Sequence, residues 1–249
     1  MKVVQDRLGT RVAVMRDRSA KISESELAER DRRIVLHNGA LTLGTLIATS
    51  GYAILRYALV GPVPFSQLPV YLLNKSIAWS ALILVCIALS TGSMSRISPR
   101  LFAGWVSQRK FIGLSGFMLA TVHVVMSLSI LTPVYSPSFF DRQSSTFNLL
   151  GGLTVQSGVV SWMLLFTLML VSIPSVQQSI SRQYWLHWQR GAGLGAALLG
   201  GGHVLYGFSG WWTPETWHGG LPPITLLSFL SVVFMFTIRR VARSLENSG

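Results

Sequence analysis

Of the 249 residues, 50% are hydrophobic and 12% are charged, against roughly 25% charged in an ordinary soluble domain, and mean hydropathy is +0.47. That balance excludes a conventional soluble fold and points to an integral membrane module. The net charge of +12 sits at the margins of apolar segments, so its partners are lipid headgroups rather than nucleic acid.

The one cysteine, Cys86, excludes an intrachain disulfide, a CxxC redox pair, a thiolate zinc site and covalent haem attachment through CxxCH. Any metal must rest on histidines or carboxylates.

Residues 1–33 hold nine Lys/Arg and six Asp/Glu. Ser23-x-x-Glu26 is a capping-box pattern, and Glu26/Arg30 and Glu29/Arg33 are i,i+4 pairs, so a short charged helix is expected to lead into the first span. This segment reads as a solvated cytoplasmic element that sets topology. The apolar run after it starts too late and runs too long for a cleavable secretory signal. The segment has no G-x-G-x-x-G and is too short for a dinucleotide-binding domain, so no nicotinamide site is expected in this chain.

Six apolar segments follow, at 34–60, 71–91, 111–133, 153–173, 191–209 and 223–238, each near the roughly 20 residues needed to cross a bilayer. Arg56 and Lys75 interrupt the first two and are expected to snorkel toward one interface. With the N-terminus inside, every Lys/Arg except Arg56, Lys75 and Arg142 falls on the cytoplasmic side, as the positive-inside rule requires. The expected fold is an all-α integral membrane six-helix bundle with both termini inside. It comprises a cytoplasmic segment 1–33, a membrane domain 34–240 and a cytoplasmic tail 241–249.

Among the five histidines, His123 lies 12 residues into the third segment and His203 lies 12 residues into the fifth. Both segments run outward, which puts the two imidazoles at one depth. An ionisable group inside the membrane is a functional-site hypothesis by default. Gly113, Gly116 and Ala120 share a helical face with His123, and Ala192, Ala196 and Gly200 share one with His203, leaving room for a flat ligand. Such stripes also let helices pack closely, with each histidine bonded to a neighbour. Of the metal readings, a haem with two axial imidazoles suits the pattern better than zinc or copper, because no third ligand lies at that level. His37 and His187 lie near the inner boundary. His218 belongs to a tryptophan-rich outer loop, Trp211 to His218, that reads as an aromatic belt.

Two strings are more specific. Arg109-Lys110-x-x-Gly113 leads to Val122-His123-Val124, and Ser172-Ile173-Pro174-Ser175-Val176 leads through Gln189 to His203-Val204-Leu205-Tyr206-Gly207. Over residues 109–209 the chain resembles the haem core of the STEAP metalloreductases. More broadly it resembles ferric reductase-like transmembrane domains, a group that also includes NADPH oxidase cores and the haem subunit of a bacterial methionine sulfoxide reductase system.

The resemblance implies that His123 and His203 are the axial ligands of one haem b. It also implies that Gln189 sits where an inner flavin, FAD or FMN, is contacted, with Arg109, Lys110 and Arg190 available to its phosphates. Family members with two haems carry a further histidine at the positions held here by Arg109 or Lys110 and by Gln189, so one haem is expected. The NADPH-oxidising domain of STEAP enzymes is not part of this sequence, and the donor is expected to be a flavin, a quinol or a separate protein.

The expected function is therefore electron transfer through one haem, from the inner face to an outer acceptor such as ferric ion, in a bacterial inner membrane. The alternative is a haem- or pigment-bearing accessory subunit of a larger membrane complex or homo-oligomer. A transporter fits less well, because no Asp or Glu lies inside any span.

Overall fold

The computed structural model describes residues 24–64, 68–134 and 136–247. Its contacts divide the chain into two units, Met1–Ala40 and Leu41–Gly249. The described residues form seven α-helices joined by short π and 3-10 turns, with no β-strand.

In the first unit, α1 (Glu24–Ala53) begins within the charged segment, and the expected Glu29–Arg33 pair forms at 2.9 Å on an exposed face. An exposed i,i+4 pair of this kind is worth only a few tenths of a kcal/mol, so it supports the helix without fixing it. Ser23 of the expected capping box lies outside the described residues, as does the Arg30 side chain.

Within the second unit α1 passes into a π-helical turn, Ile54–Leu59, whose widened register turns Arg56 inward. Arg56 is 5% exposed rather than snorkelling to water; its Nε donates to the Leu221 carbonyl at 2.9 Å, and its guanidinium lies 4.5 Å from the Tyr57 ring centre. That backbone bond gives the charge a polar partner in an otherwise apolar wall.

A second π turn, Leu68–Leu72, opens α2 (Leu73–Ile97). The following α3 (Pro99–Ile130) starts at once, with Ser98 alone between them and Pro99 supplying the fixed φ suited to a first helical position. The region 92–110, expected as a loop, is thus almost wholly helical. Next, α4 (Leu149–Val171) is capped by Asn148, whose side chain accepts from the Gly151 amide at 2.8 Å. A short α5 (Pro174–Ser179) precedes α6 (Arg182–His203), which tightens into a 3-10 turn, Val204–Trp211. The last helix, α7 (Ile224–Asn247), continues past residue 240 and buries Ala242.

Each of the six apolar segments lies largely within one long helix or its turn. Four stretches, Val70–Ile97, Pro99–Ile130, Leu149–Val171 and His218–Asn247, are long and apolar enough to cross a membrane. The segments 34–60 and 191–209 are not among these four.

Helix α2 is the central one, packing against α3, α6 and α7, while α4 packs on α6. Val85, Cys86 and Leu89 of α2 meet Ala197 of α6 and Val232 and Met235 of α7 in the main core. By contrast, α3 and α4 leave large apolar side chains uncovered, among them Val125, Leu128, Leu153 and Met163. In water such faces would be a liability, whereas hydrocarbon solvates them.

The connection between α3 and α4 is pinned by a single bridge, Phe140 to Phe147, whose rings stack at 4.7 Å. Asp141 organises its tip, accepting from the Gln143 and Ser144 amides, and those bonds hold its carboxyl below the ordinary aspartate value.

Candidate functional site

The fold brings His123 of α3 and His203 of α6 together, with ring centres 6.1 Å apart and planes crossed at 74°. Each ring is held by one nitrogen. The Nδ1 of His123 lies 2.8 Å from the Oδ1 of Asn74, on the first turn of α2. Asn74 is itself oriented, because its Nδ2 donates to the Ser127 hydroxyl at 3.0 Å, one turn beyond His123. With that oxygen accepting, the His123 proton belongs on Nδ1.

The Nδ1 of His203 lies 2.7 Å from the Thr154 carbonyl. A carbonyl can only accept, so here too Nδ1 carries the proton and Nε2 presents a lone pair. This contact depends on Gly158, one turn along α4, where an added Cβ would lie 2.7 Å from the His203 Nδ1. Residue 158 lacks a side chain because the imidazole needs that space. Helix α4 is in turn tied to α6 by Ser161, whose hydroxyl donates to the Ala196 carbonyl at 2.8 Å, and to α3 by Trp162, whose indole donates to Thr121 at 3.0 Å.

Both imidazoles line a cavity of about 420 Å³, within the range of cofactor pockets. Ala120, Ala196 and Gly200 of the expected small-residue faces also line it. Gly116 does not; it lies against Val85 and Ala81 of α2, so its small size serves helix packing. The small residues of the two stripes therefore divide, some lining the cavity and Gly116 seating α3 on α2.

Two imidazoles on one cavity, each with Nδ1 bonded to an oxygen and Nε2 left over, are a donor set of the kind that could hold a metal. Anchoring of Nδ1 by a carbonyl-type oxygen is the usual second-shell arrangement for a metal-ligating histidine, leaving Nε2 as ligand. No cluster of three or more His, Cys, Asp or Glu occurs among the described residues.

A second cavity, of about 390 Å³, lies among α2, α3, α4 and α6, and Arg109, Lys110 and Gln189 all line it. Two of the three converge on Ser172: Lys110 Nζ donates to its carbonyl at 2.8 Å, and Gln189 Nε2 to its hydroxyl at 3.1 Å. Lys110 therefore also satisfies an orphan carbonyl at the C-terminal end of α4, a favourable place for a cation. Arg190 is exposed and does not line this cavity, although its charge reaches Arg109.

The other histidines stand apart from the pair. His37 bonds the Arg33 carbonyl at 2.8 Å within its own helix, His187 is exposed, and His218 lies beside Gly61. The tryptophan-rich loop divides: Trp211 is buried and donates to Thr225 at 3.0 Å, while Trp212 is 70% exposed. Asn74, Ser127, Thr154 and Gly158 were not foreseen from the sequence. Asn74, a buried amide inside an apolar segment, carried the one available signal. No known protein-family model matches the sequence.

Proposed function

We propose that this chain is a membrane electron-transfer protein that holds one haem b between His123 and His203. The observation that carries the reading is the pair of imidazoles on one cavity, ring centres 6.1 Å apart, each fixed through Nδ1. Haem bound there supplies one-electron redox chemistry. The chain's own contribution is to fix both imidazoles in the tautomer that offers Nε2, in a cavity whose wall is largely apolar.

In this reading the six long helices cross the membrane with both termini inside. The cationic residues support that orientation, because Arg96, Arg109, Arg190, Arg239 and Arg243 gather at one end of the second unit. Arg96 pairs with Glu246 at 2.8 Å and Arg239 donates to the Leu89 carbonyl, which joins the C-terminal ends of α2 and α7. Lys110 meets the end of α4 at Ser172. Arg56 belongs to the opposite end, beside Leu221. The basic end is the cytoplasmic one.

Electrons enter at the basic end, where the second cavity offers Arg109 and Lys110 to an anionic donor and Gln189 to a hydrogen-bonding ring edge. A reduced flavin suits that set. Ferric ion or another one-electron acceptor is served at the opposite end.

The test is the absorption spectrum of the purified protein, oxidised and dithionite-reduced. A low-spin b-type spectrum is expected, lost in His123→Ala and in His203→Ala and retained in His37→Ala, His187→Ala and His218→Ala. Haem retained in full by both ligand variants would overturn the assignment.

A further inference from the structure

The cavity that holds the two histidines also holds a cation. Lys75 follows Asn74 on the first turn of α2 and lines the same space. Its Nζ lies 4.6 Å from the Tyr71 ring centre and 5.6 Å from that of Tyr57. The Tyr71 hydroxyl is within hydrogen-bonding reach and Tyr206 is also close. The half-buried ammonium thus lies against tyrosines.

Glu29 and Glu246 pair with arginines, and the groups found around Lys75 among the described residues are tyrosines rather than carboxylates. Aromatic faces offset only part of the desolvation of an ammonium. A half-buried cation without a carboxylate partner, facing a cavity, calls for an anion there. Much of the remaining wall restricts which anion fits, since Trp79, Leu82, Val85, Ala120, Leu165 and Val204 are apolar, although Ser136, Ser138, Thr225 and Ser228 also line the cavity. The occupant must join an acidic edge to a broad apolar body.

Resting on the haem reading above, we infer that Lys75 is the anion anchor of this cavity and binds a carboxylate of the haem. Consecutive residues of α2 then divide two tasks, with Asn74 fixing the His123 ligand and Lys75 fixing the carboxylate-bearing edge. The adjacent Tyr57 and Tyr71 hold the ammonium in place, which limits the side-chain entropy lost on binding.

The experiment uses the full chain produced in haem-starved cells, purified in detergent and titrated with ferric haem b or with its dimethyl ester, in which both carboxylates are masked. Wild type should bind the free acid at least about tenfold more tightly than the ester. Lys75→Met should lose that preference while binding the ester as wild type does, and Lys75→Arg should keep it. Equal wild-type affinity for acid and ester, or a preference that survives in Lys75→Met, would overturn the anchor. If Lys75→Met does not yield folded protein, the acid-against-ester ratio of wild type and Lys75→Arg decides. Failure of wild type to form a low-spin complex with either pigment overturns the haem reading, and the anchor with it. A normal low-spin complex without preference overturns the anchor alone.

Discussion

The Nδ1 of His203 and the carbonyl of Thr154 lie 2.7 Å apart across the α4–α6 contact, over a glycine at position 158. One backbone oxygen thereby sets the tautomer of an imidazole on another helix, and one missing side chain makes the approach possible.

Replacing Gly158 tests that relationship. Alanine in a helix interior ordinarily stabilises relative to glycine by roughly 0.5–1 kcal/mol, so Gly158→Ala should fold. Its Cβ would nonetheless meet the His203 Nδ1 at 2.7 Å, and the ring must move. Haem affinity should fall by at least about tenfold with a partial shift to high spin, read by haem titration and optical spectra. Gly152→Ala, on the same helix but with open space around it, should behave as wild type.

Asn74 fixes the other ligand. Asn74→Leu removes the acceptor 2.8 Å from His123 Nδ1 and the donor to Ser127 while keeping the branched shape of the side chain. A loss of roughly 10- to 100-fold in haem affinity is expected, the usual effect of deleting a second-shell partner. Asn74→Asp should retain haem and lower its midpoint potential, because a carboxylate makes the imidazole a stronger donor and favours ferric iron. Optical redox titration of both variants checks the direction.

Orientation is testable with the one native cysteine, Cys86, buried. In intact cells, Ser144→Cys in the connection between α3 and α4 should react with a membrane-impermeant maleimide. Ser98→Cys in the turn between α2 and α3 should react only after permeabilisation. The reverse pattern would invert the direction of electron flow.

The second cavity predicts a saturable donor site. Reduced flavin mixed with oxidised protein in a stopped-flow instrument should reduce the haem with a rate that saturates in flavin. Gln189→Ala and the double variant Arg109→Ala/Lys110→Ala should slow it without haem loss, and Arg190→Ala should have the smaller effect because Arg190 does not line the cavity. A rate linear in flavin and indifferent to these changes would leave Lys110 as a cap on α4 and the arginines as orientation signals.

The sequence by itself determined the helical class, the positions of the long helices and the pair of histidines worth watching. These follow from local properties: apolar runs of a given length, charge at their margins, and equal residue counts from one side of a bilayer to each imidazole. Residue counting anticipated that His123 and His203 would share a level, and in the fold they share a cavity. What only the tertiary structure decided were contacts between helices distant in the chain. The acceptor for His203 is a backbone carbonyl 49 residues away, which leaves no mark in residue identity. Gly116 and Gly158 look alike in sequence, yet one seats α3 on α2 and the other admits an imidazole. Arg56 and Lys75 read as snorkelling blemishes because hydropathy registers only that a charge is present. In the fold Arg56, within the π turn Ile54–Leu59, donates to the Leu221 carbonyl, and Lys75, three residues past the turn Leu68–Leu72, lies over the Tyr71 ring.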